Sequence, residues 1–117
     1  MRTVAIAIQD GEGLDAAVDP RFGRAARFAI AAADGSAVEV LDNPGVQAAH
    51  GAGIGAAALL VRRGVGAVIA GRFGPKASDA LAAAGVAMFA APDGMSARDA
   101  LAALEQGKLA SAEMQRF

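Results

Sequence analysis

Three short segments hold most of the side chains in this sequence that could do chemistry. They are Asp19–Arg24, His50–Gly53 and Gly71–Lys76, which read D-P-R-F-G-R, H-G-A-G and G-R-F-G-P-K. Together they contain the single histidine and two of the five phenylalanines, on a chain that is 55% hydrophobic. Cationic side chains and glycine N–H groups donate hydrogen bonds to anions, and imidazole is a common metal ligand. The residue types therefore indicate a site for an anion or a metal group.

The third segment is predicted to connect a strand to a helix. Gly71 and Gly74 would let backbone N–H groups approach an anion, and the helix dipole would add positive potential. Arg72 and Lys76 supply formal charge. In the alternative interpretation the glycines only form a tight turn and the charges are solvated. The segment lacks the full phosphate-loop pattern, so the motif alone does not decide.

The second segment leads into a predicted helix. His50 could bind a metal or donate a hydrogen bond, and N–H groups near Gly51 and Gly53 could hold negative charge. The alternative is an ordinary helix cap or a histidine that packs in a loop. The pattern is not a dinucleotide fingerprint, because it does not directly follow a strand within a strand-helix-strand unit.

In the first segment, Arg21 or Arg24 is a candidate anion contact and Phe22 a candidate to close over a pocket, on a loop that Pro20 stiffens. The structural alternatives are that Asp19 caps a turn or pairs with Arg21, and that Phe22 belongs to the core.

The hydrophobic periodicity predicts the elements that position these segments. Apolar, β-branched or alternating runs predict strands over 3–8, 27–32, 37–41, 66–70 and 86–90. Helical spacing predicts helices over 52–63, 75–84 and 96–106. Ser96 and Asp99 resemble a capping box at the start of the last helix. Residues 108–117 are weakly patterned, and we expect them to form a partly mobile tail of a single domain over 1–117.

This order of elements predicts an α/β fold with a mixed five-stranded sheet. Strand-helix-strand units require parallel strands, whereas the short Asp34-Gly35-Ser36 turn requires an antiparallel pair. We expect the strand order 3-2-1-4-5, with strand 2 antiparallel and helices on both faces, which is a ribonuclease-H-like layout. Loops 9–26, 43–52, 71–75 and 91–95 should then converge at one edge, where open α/β sheets bind ligands.

Composition limits the functional classes. A net charge of −1, with eleven Lys plus Arg, argues against nucleic acid as a partner. No apolar run is long enough to span a membrane, and the amino terminus lacks a signal-peptide core, so we expect a cytoplasmic protein. The absence of cysteine excludes disulfides and thiolate ligands.

The three motifs, in this order and spacing, closely resemble the dinitrogenase iron-molybdenum cofactor biosynthesis family over nearly the whole chain. The resemblance implies a ribonuclease-H-like fold and a role in nitrogen fixation. It also implies binding or delivery of an iron-sulfur or iron-molybdenum cofactor precursor, with cofactor-biosynthesis proteins as partners. Cofactor-carrying relatives tend to have histidine immediately before the Phe-Gly pair, where this chain has Arg21. We therefore take His50 as the candidate metal ligand. The predicted cofactor-binding residues are Arg21, Phe22, Gly51, Gly53, Gly71, Arg72, Gly74 and Lys76.

The function expected from the sequence is a non-catalytic carrier of an anionic metal cofactor or its precursor. A regulatory or protein-interaction module, or an oxyanion-binding protein without a metal cluster, remains open. An enzyme is less well supported: the first and fourth predicted strands lack the carboxylates of metal-dependent nucleases, and no G-x-S-x-G nucleophile elbow occurs.

Overall fold

The computed structural model describes residues 3–9, 13–32, 35–36, 38–43 and 52–112. A 3-10 turn covers Gly13–Asp15. The regular elements in chain order are β1 (Thr3–Ile8), β2 (Arg27–Ala32), β3 (Glu39–Asp42), α1 (Ala52–Arg62), β4 (Ala67–Ala70), α2 (Pro75–Ala83), β5 (Ala87–Ala90), α3 (Ala97–Glu105) and β6 (Ala110–Ser111).

One mixed sheet contains all of these strands, in the order β3-β2-β1-β4-β5-β6. The strands β1, β4 and β5 are parallel, whereas β2 is antiparallel to both of its neighbours. The predicted α/β fold, strand order and antiparallel second strand are therefore confirmed.

The predicted number of strands is wrong, because β6 pairs antiparallel with β5 as a sixth. It lies within the segment that was expected to form a tail. Two residues are too few to show a periodicity, so this strand depends on tertiary pairing with Phe89 and Ala90. Residues 113–117 are outside the described residues.

The sheet is covered on both faces, which explains why its central strands are apolar without alternation. On one face Ala5 packs in a cluster with Leu60 of α1 and Leu81 of α2. On the other face Ile6 packs in a cluster with Leu101 of α3. Among the described residues, no helix combines the length and the apolar character that crossing a membrane requires.

The direction of the strands determines where the candidate residues lie. Because β1, β4 and β5 run in parallel, they end at the same edge of the sheet. The connections that lead into α2 and α3 therefore begin at that edge. The β1–β2 connection also passes this edge of the sheet, because Val18 forms an antiparallel bridge with Ile8 at the end of β1.

Candidate functional site

The first and third sequence segments lie against each other. The Gly71 N–H donates to the Asp19 carbonyl oxygen at 3.0 Å, and the Phe22 N–H donates to the Arg72 carbonyl oxygen at 3.1 Å. Arg21 and Arg72 are partners in an isolated parallel bridge. Two loops that are separated by about fifty positions in the sequence are thus paired like short strands. The predicted convergence of these loops is confirmed.

Gly71 is required by this close approach. A Cβ atom built on Gly71 would lie 2.5 Å from the Pro20 Cα and 2.8 Å from the Pro20 carbonyl oxygen. Both contacts are to backbone, which cannot turn aside as a flexible side chain can. Any larger residue at position 71 would therefore push the two loops apart.

Asp19 fixes the start of the first loop. The residue is 6% exposed, and its Oδ1 accepts the Arg21 N–H at 2.8 Å. Its own N–H donates to the Ala7 carbonyl oxygen at 2.8 Å. Asp19 thus caps a turn, which was one of the two structural alternatives for this residue.

Asn43 fixes the other end of the same loop, and the sequence analysis did not identify it. The side chain is 2% exposed, and its Nδ2 donates to the carbonyl oxygens of Gly23 at 3.1 Å and Ala25 at 2.9 Å. A polar residue directly after a strand was the only available signal. In the sequence it indicated a strand end and nothing more.

Phe22 joins the two loops to the core. Phe22 is 1% exposed, and its ring centroid lies 5.4 Å from that of Phe28 and 5.2 Å from that of Phe73, which belongs to the Gly71–Lys76 segment. These contacts favour the interpretation of Phe22 as a core residue that holds the loop in place. Direct contact between Phe22 and a ligand stays a prediction.

The start of α2 contains few groups that compete for its backbone N–H donors. Gly74 is the N-cap, with no side-chain cap hydrogen bond, and Pro75 occupies the first turn. The first intrahelical bond runs from the Ser78 N–H to the Gly74 carbonyl oxygen at 2.9 Å. The N–H groups of Lys76 and Ala77 therefore belong to the first turn, where a helix has no internal acceptors. The turn contains no acidic residue.

The start of α1 lies beside the start of α2. A Cβ atom on Gly53 would be 3.0 Å from the Ala77 Cβ, which is tighter than most real contacts. The first turn of α1 also lacks an acidic residue. The positive ends of two helix dipoles, each equivalent to about half a charge, are thus close together. His50 and Gly51 precede α1 and lie outside the described residues, so their predicted roles stay predictions.

Arg21, Arg72 and Lys76 take no part in the ion pairs found among the described residues, which include Arg27–Asp42, Arg63–Glu39 and Arg98–Asp15. Arg21, Arg72 and Lys76 are exposed. Exposed like charges at close range repel one another by on the order of 1 kcal/mol in water. An anion that bound between them would remove this repulsion.

The described residues do not offer a conventional metal site. They contain no group of three or more His, Cys, Asp or Glu side chains that could hold a metal ion. The exposed cations Arg21, Arg72 and Lys76 suit a preformed anion better than a bare cation. A metal cluster would fit if its own sulfide ligands already satisfied most of the coordination of its metals.

The fold and the loops define a small mixed-sheet α/β protein with a donor-rich carboxyl edge. The chain belongs to the dinitrogenase iron-molybdenum cofactor family, which it matches over residues 2–107. The resemblance read from the three motifs is thereby confirmed.

Solved structures agree with this assignment. The apo form of the orange protein from Desulfovibrio gigas is 41% identical with a TM-score of 0.89, over 96% of this chain and 93% of that one. The NMR structure of a NifB-like protein of the DUF35 family from Thermotoga is 34% identical with a TM-score of 0.83, over 100% and 97% of the two chains. A structure from Methanocaldococcus jannaschii, at 14% identity and a TM-score of 0.64, covers 93% of this chain and 92% of its own, and supports the fold alone. No curated protein matches the chain.

Proposed function

We propose that this protein is a non-catalytic carrier of an anionic iron-sulfur-type metal cofactor or of its precursor. Membership in the dinitrogenase iron-molybdenum cofactor family supports a connection with such a cofactor. In this proposal the protein works in the cytoplasm and exchanges its cargo with cofactor-biosynthesis proteins. Nucleic acid and membranes have no part in it.

The observation that carries the proposal is the pairing of two arginine-bearing loops beside an uncapped helix start. Arg21 and Arg72 are bridge partners, and Gly74 begins α2 without a side-chain cap. Positive charge and oriented N–H groups bind sulfide or oxide surfaces without replacing the ligands of the metals. Such a site can accept and release an intact cluster, which is what a carrier must do.

The predicted residues have distinct roles in this proposal. Arg21, Arg72 and Lys76 would supply charge. Backbone N–H groups near Gly71 and Gly74, and near Gly51 and Gly53, would hold the surface of the cluster. His50 would be the single direct ligand, since imidazole suits borderline metals such as iron and the chain has no cysteine.

Anaerobic native mass spectrometry tests the proposal. The protein is isolated from its own source, with and without metal depletion, and is also loaded with iron-sulfide clusters assembled in vitro. We expect a reproducible mass increment that metal depletion removes. Replacing His50 with Ala should reduce retention of the loaded cluster far more than it lowers the melting temperature. A protein that stays free of metal under all of these conditions contradicts the carrier proposal.

A second candidate is an oxyanion-binding module that never holds a metal. The lack of a three-ligand metal group among the described residues favours it. The same experiment separates the two functions. A mass increment of phosphate, sulfate or a similar oxyanion that survives metal depletion identifies the second candidate.

A further inference from the structure

Backbone hydrogen bonds hold the two exposed arginines side by side. Their loops are joined through the Gly71 N–H to Asp19 and through the Phe22 N–H to Arg72, and Gly71 packs directly on the Pro20 backbone. Paired strands lie about 4.8 Å apart, and the side chains of partner residues leave on the same side. Arg21 and Arg72 therefore start from neighbouring points and extend into the same region of solvent.

This arrangement is unfavourable unless a ligand uses it. Like charges placed opposite each other on paired strands are destabilising. Both guanidinium groups are exposed, and neither belongs to an ion pair in the described part of the chain. The loop that carries Arg21 is nevertheless held in place by three contacts, made by Asp19, Asn43 and Phe22.

We propose that Arg21 and Arg72 form a two-guanidinium clamp for an anion with at least two separated acceptor atoms, and that Gly71 is the positioning residue that sets the spacing of the clamp. This inference rests on the proposed anion site and deepens it by naming the class of anion. Each guanidinium presents a planar fork of donors, so two adjacent forks match a polyanionic surface better than a single monovalent ion.

The clamp makes a prediction that simple charge attraction does not. If the two arginines contact the same anion, their contributions to binding are coupled, and the coupling depends on their spacing. Changing Gly71 to Ala alters the spacing and removes no charge. The matched control is Gly55→Ala in α1, where an added Cβ meets nothing within 4 Å.

The test uses inorganic pyrophosphate as a redox-inert polyanion and perchlorate as a monovalent probe, with binding measured by titration calorimetry. Circular dichroism and the melting temperature show whether each variant is folded. We expect Gly71→Ala to weaken pyrophosphate binding at least tenfold, with little change for perchlorate, whereas Gly55→Ala binds both probes as the unaltered chain does.

A double-mutant cycle with Arg21→Gln and Arg72→Gln provides a readout that a merely structural role for Gly71 would not change. The losses should be non-additive when Gly71 is present and additive in the Gly71→Ala background. Additive losses with Gly71 present overturn the clamp, and this arm does not depend on whether Gly71→Ala folds. Equal pyrophosphate affinity of folded Gly71→Ala and the unaltered chain overturns it as well.

Failure of the carrier proposal gives a different result. A chain that retains no iron-sulfide cluster, yet shows coupled arginines and loss of pyrophosphate binding in Gly71→Ala, contains the clamp and serves another polyanion. A chain that retains the cluster while the arginines act additively supports the carrier without the clamp.

Discussion

The helices α2 and α3 begin at the same edge of the sheet, but only α3 has a side-chain cap at its first turn. At the start of α3, the Ser96 hydroxyl accepts the Asp99 N–H at 3.1 Å, and the Asp99 carboxylate lies in the first turn. At the start of α2, Gly74 provides no side-chain cap, and the first turn carries the cation of Lys76. The start of α3 is built for stability. In the proposed anion site, the first-turn N–H groups of α2 would donate to the ligand instead.

The two helix starts differ in how much their first turns contribute to stability. Relative to glycine at the N-cap, a side-chain cap contributes only a few tenths of a kcal/mol, and an acidic residue near a helix start contributes about 0.3–1 kcal/mol. The start of α2 therefore forgoes on the order of 1 kcal/mol that the start of α3 retains. Burial of Ala77 and Leu81 against the core keeps α2 in place despite that loss. Packing therefore positions α2, and in the proposed site its first turn would be available to the anion.

The largest expected effect comes from reversing the two bridged charges. Arg21→Glu with Arg72→Glu should weaken polyanion binding more than a hundredfold, because charged hydrogen bonds are worth about 1.5–3 kcal/mol each. The free energy of unfolding should change little, since both side chains are exposed. Calorimetric titration and denaturant unfolding measure the two quantities.

The control for this double reversal is Arg62→Glu with Lys108→Glu, which changes the net charge by the same amount. Arg62 is the last residue of α1, and Lys108 follows the end of α3. Binding in the control should fall far less. Equal losses in both double variants would show that only the total charge of the protein matters, and the contrast between the two helix starts would have no functional meaning.

A smaller effect is expected from giving α2 the kind of cap that α3 has. In Gly74→Asp the new carboxylate can accept the N–H groups of the first turn and so compete with an external anion. Binding should fall about tenfold while the free energy of unfolding rises by about 0.3–1 kcal/mol. Gly74→Asn separates the effects of capping and charge. Unchanged affinity in Gly74→Asp would mean that the N–H groups of this turn do not contact the ligand.

Removing the cap of α3 should affect stability alone. Ser96→Ala should lower the free energy of unfolding by about 1 kcal/mol, as measured by denaturant titration. Anion affinity should stay the same, because the start of α3 has its own internal acceptors. A clear loss of binding in folded Ser96→Ala would remove the distinction between the two helix starts.

The smallest expected effect has opposite signs for stability and binding. Lys76→Glu replaces an unfavourable charge in the first turn of α2 with a favourable one, so the free energy of unfolding should rise by about 0.3–1 kcal/mol. Polyanion affinity should fall severalfold. The stability and the affinity of Lys76→Gln should both lie between those of the unaltered chain and those of Lys76→Glu. Parallel changes in stability and affinity would indicate that Lys76 acts through the fold.

The sequence predicted the elements of this edge better than the contacts between them. The apolar run of β1 and the Ser96–Asp99 cap are local signals, and both are confirmed. Strand direction then predicted which loops converge, because parallel strands end at one edge. The close packing of Gly71 on Pro20 has no local signal, since about fifty residues separate the two positions and glycine also serves ordinary turns.

Buried polar residues were the other class that the sequence could not resolve. Asn43 looked like a residue that ends a strand, and only the structure shows its amide donating to the Gly23 and Ala25 carbonyl oxygens. Phe22 allowed two interpretations, a pocket lid or a core residue, which differ only in burial. Burial depends on the whole fold, so motif chemistry alone could not choose between them.

Amide NMR of the isotope-labelled chain during anaerobic titration with an iron-sulfide cluster tests whether the cluster binds at the paired arginines and the start of α2. The iron broadens the signals of nearby N–H groups, so it maps the binding surface without a mutation. We expect loss of signals from Arg21, Arg72 and the first turn of α2, with the signals of residues 96–100 retained. Broadening centred on the start of α3, or spread evenly over the molecule, would contradict it.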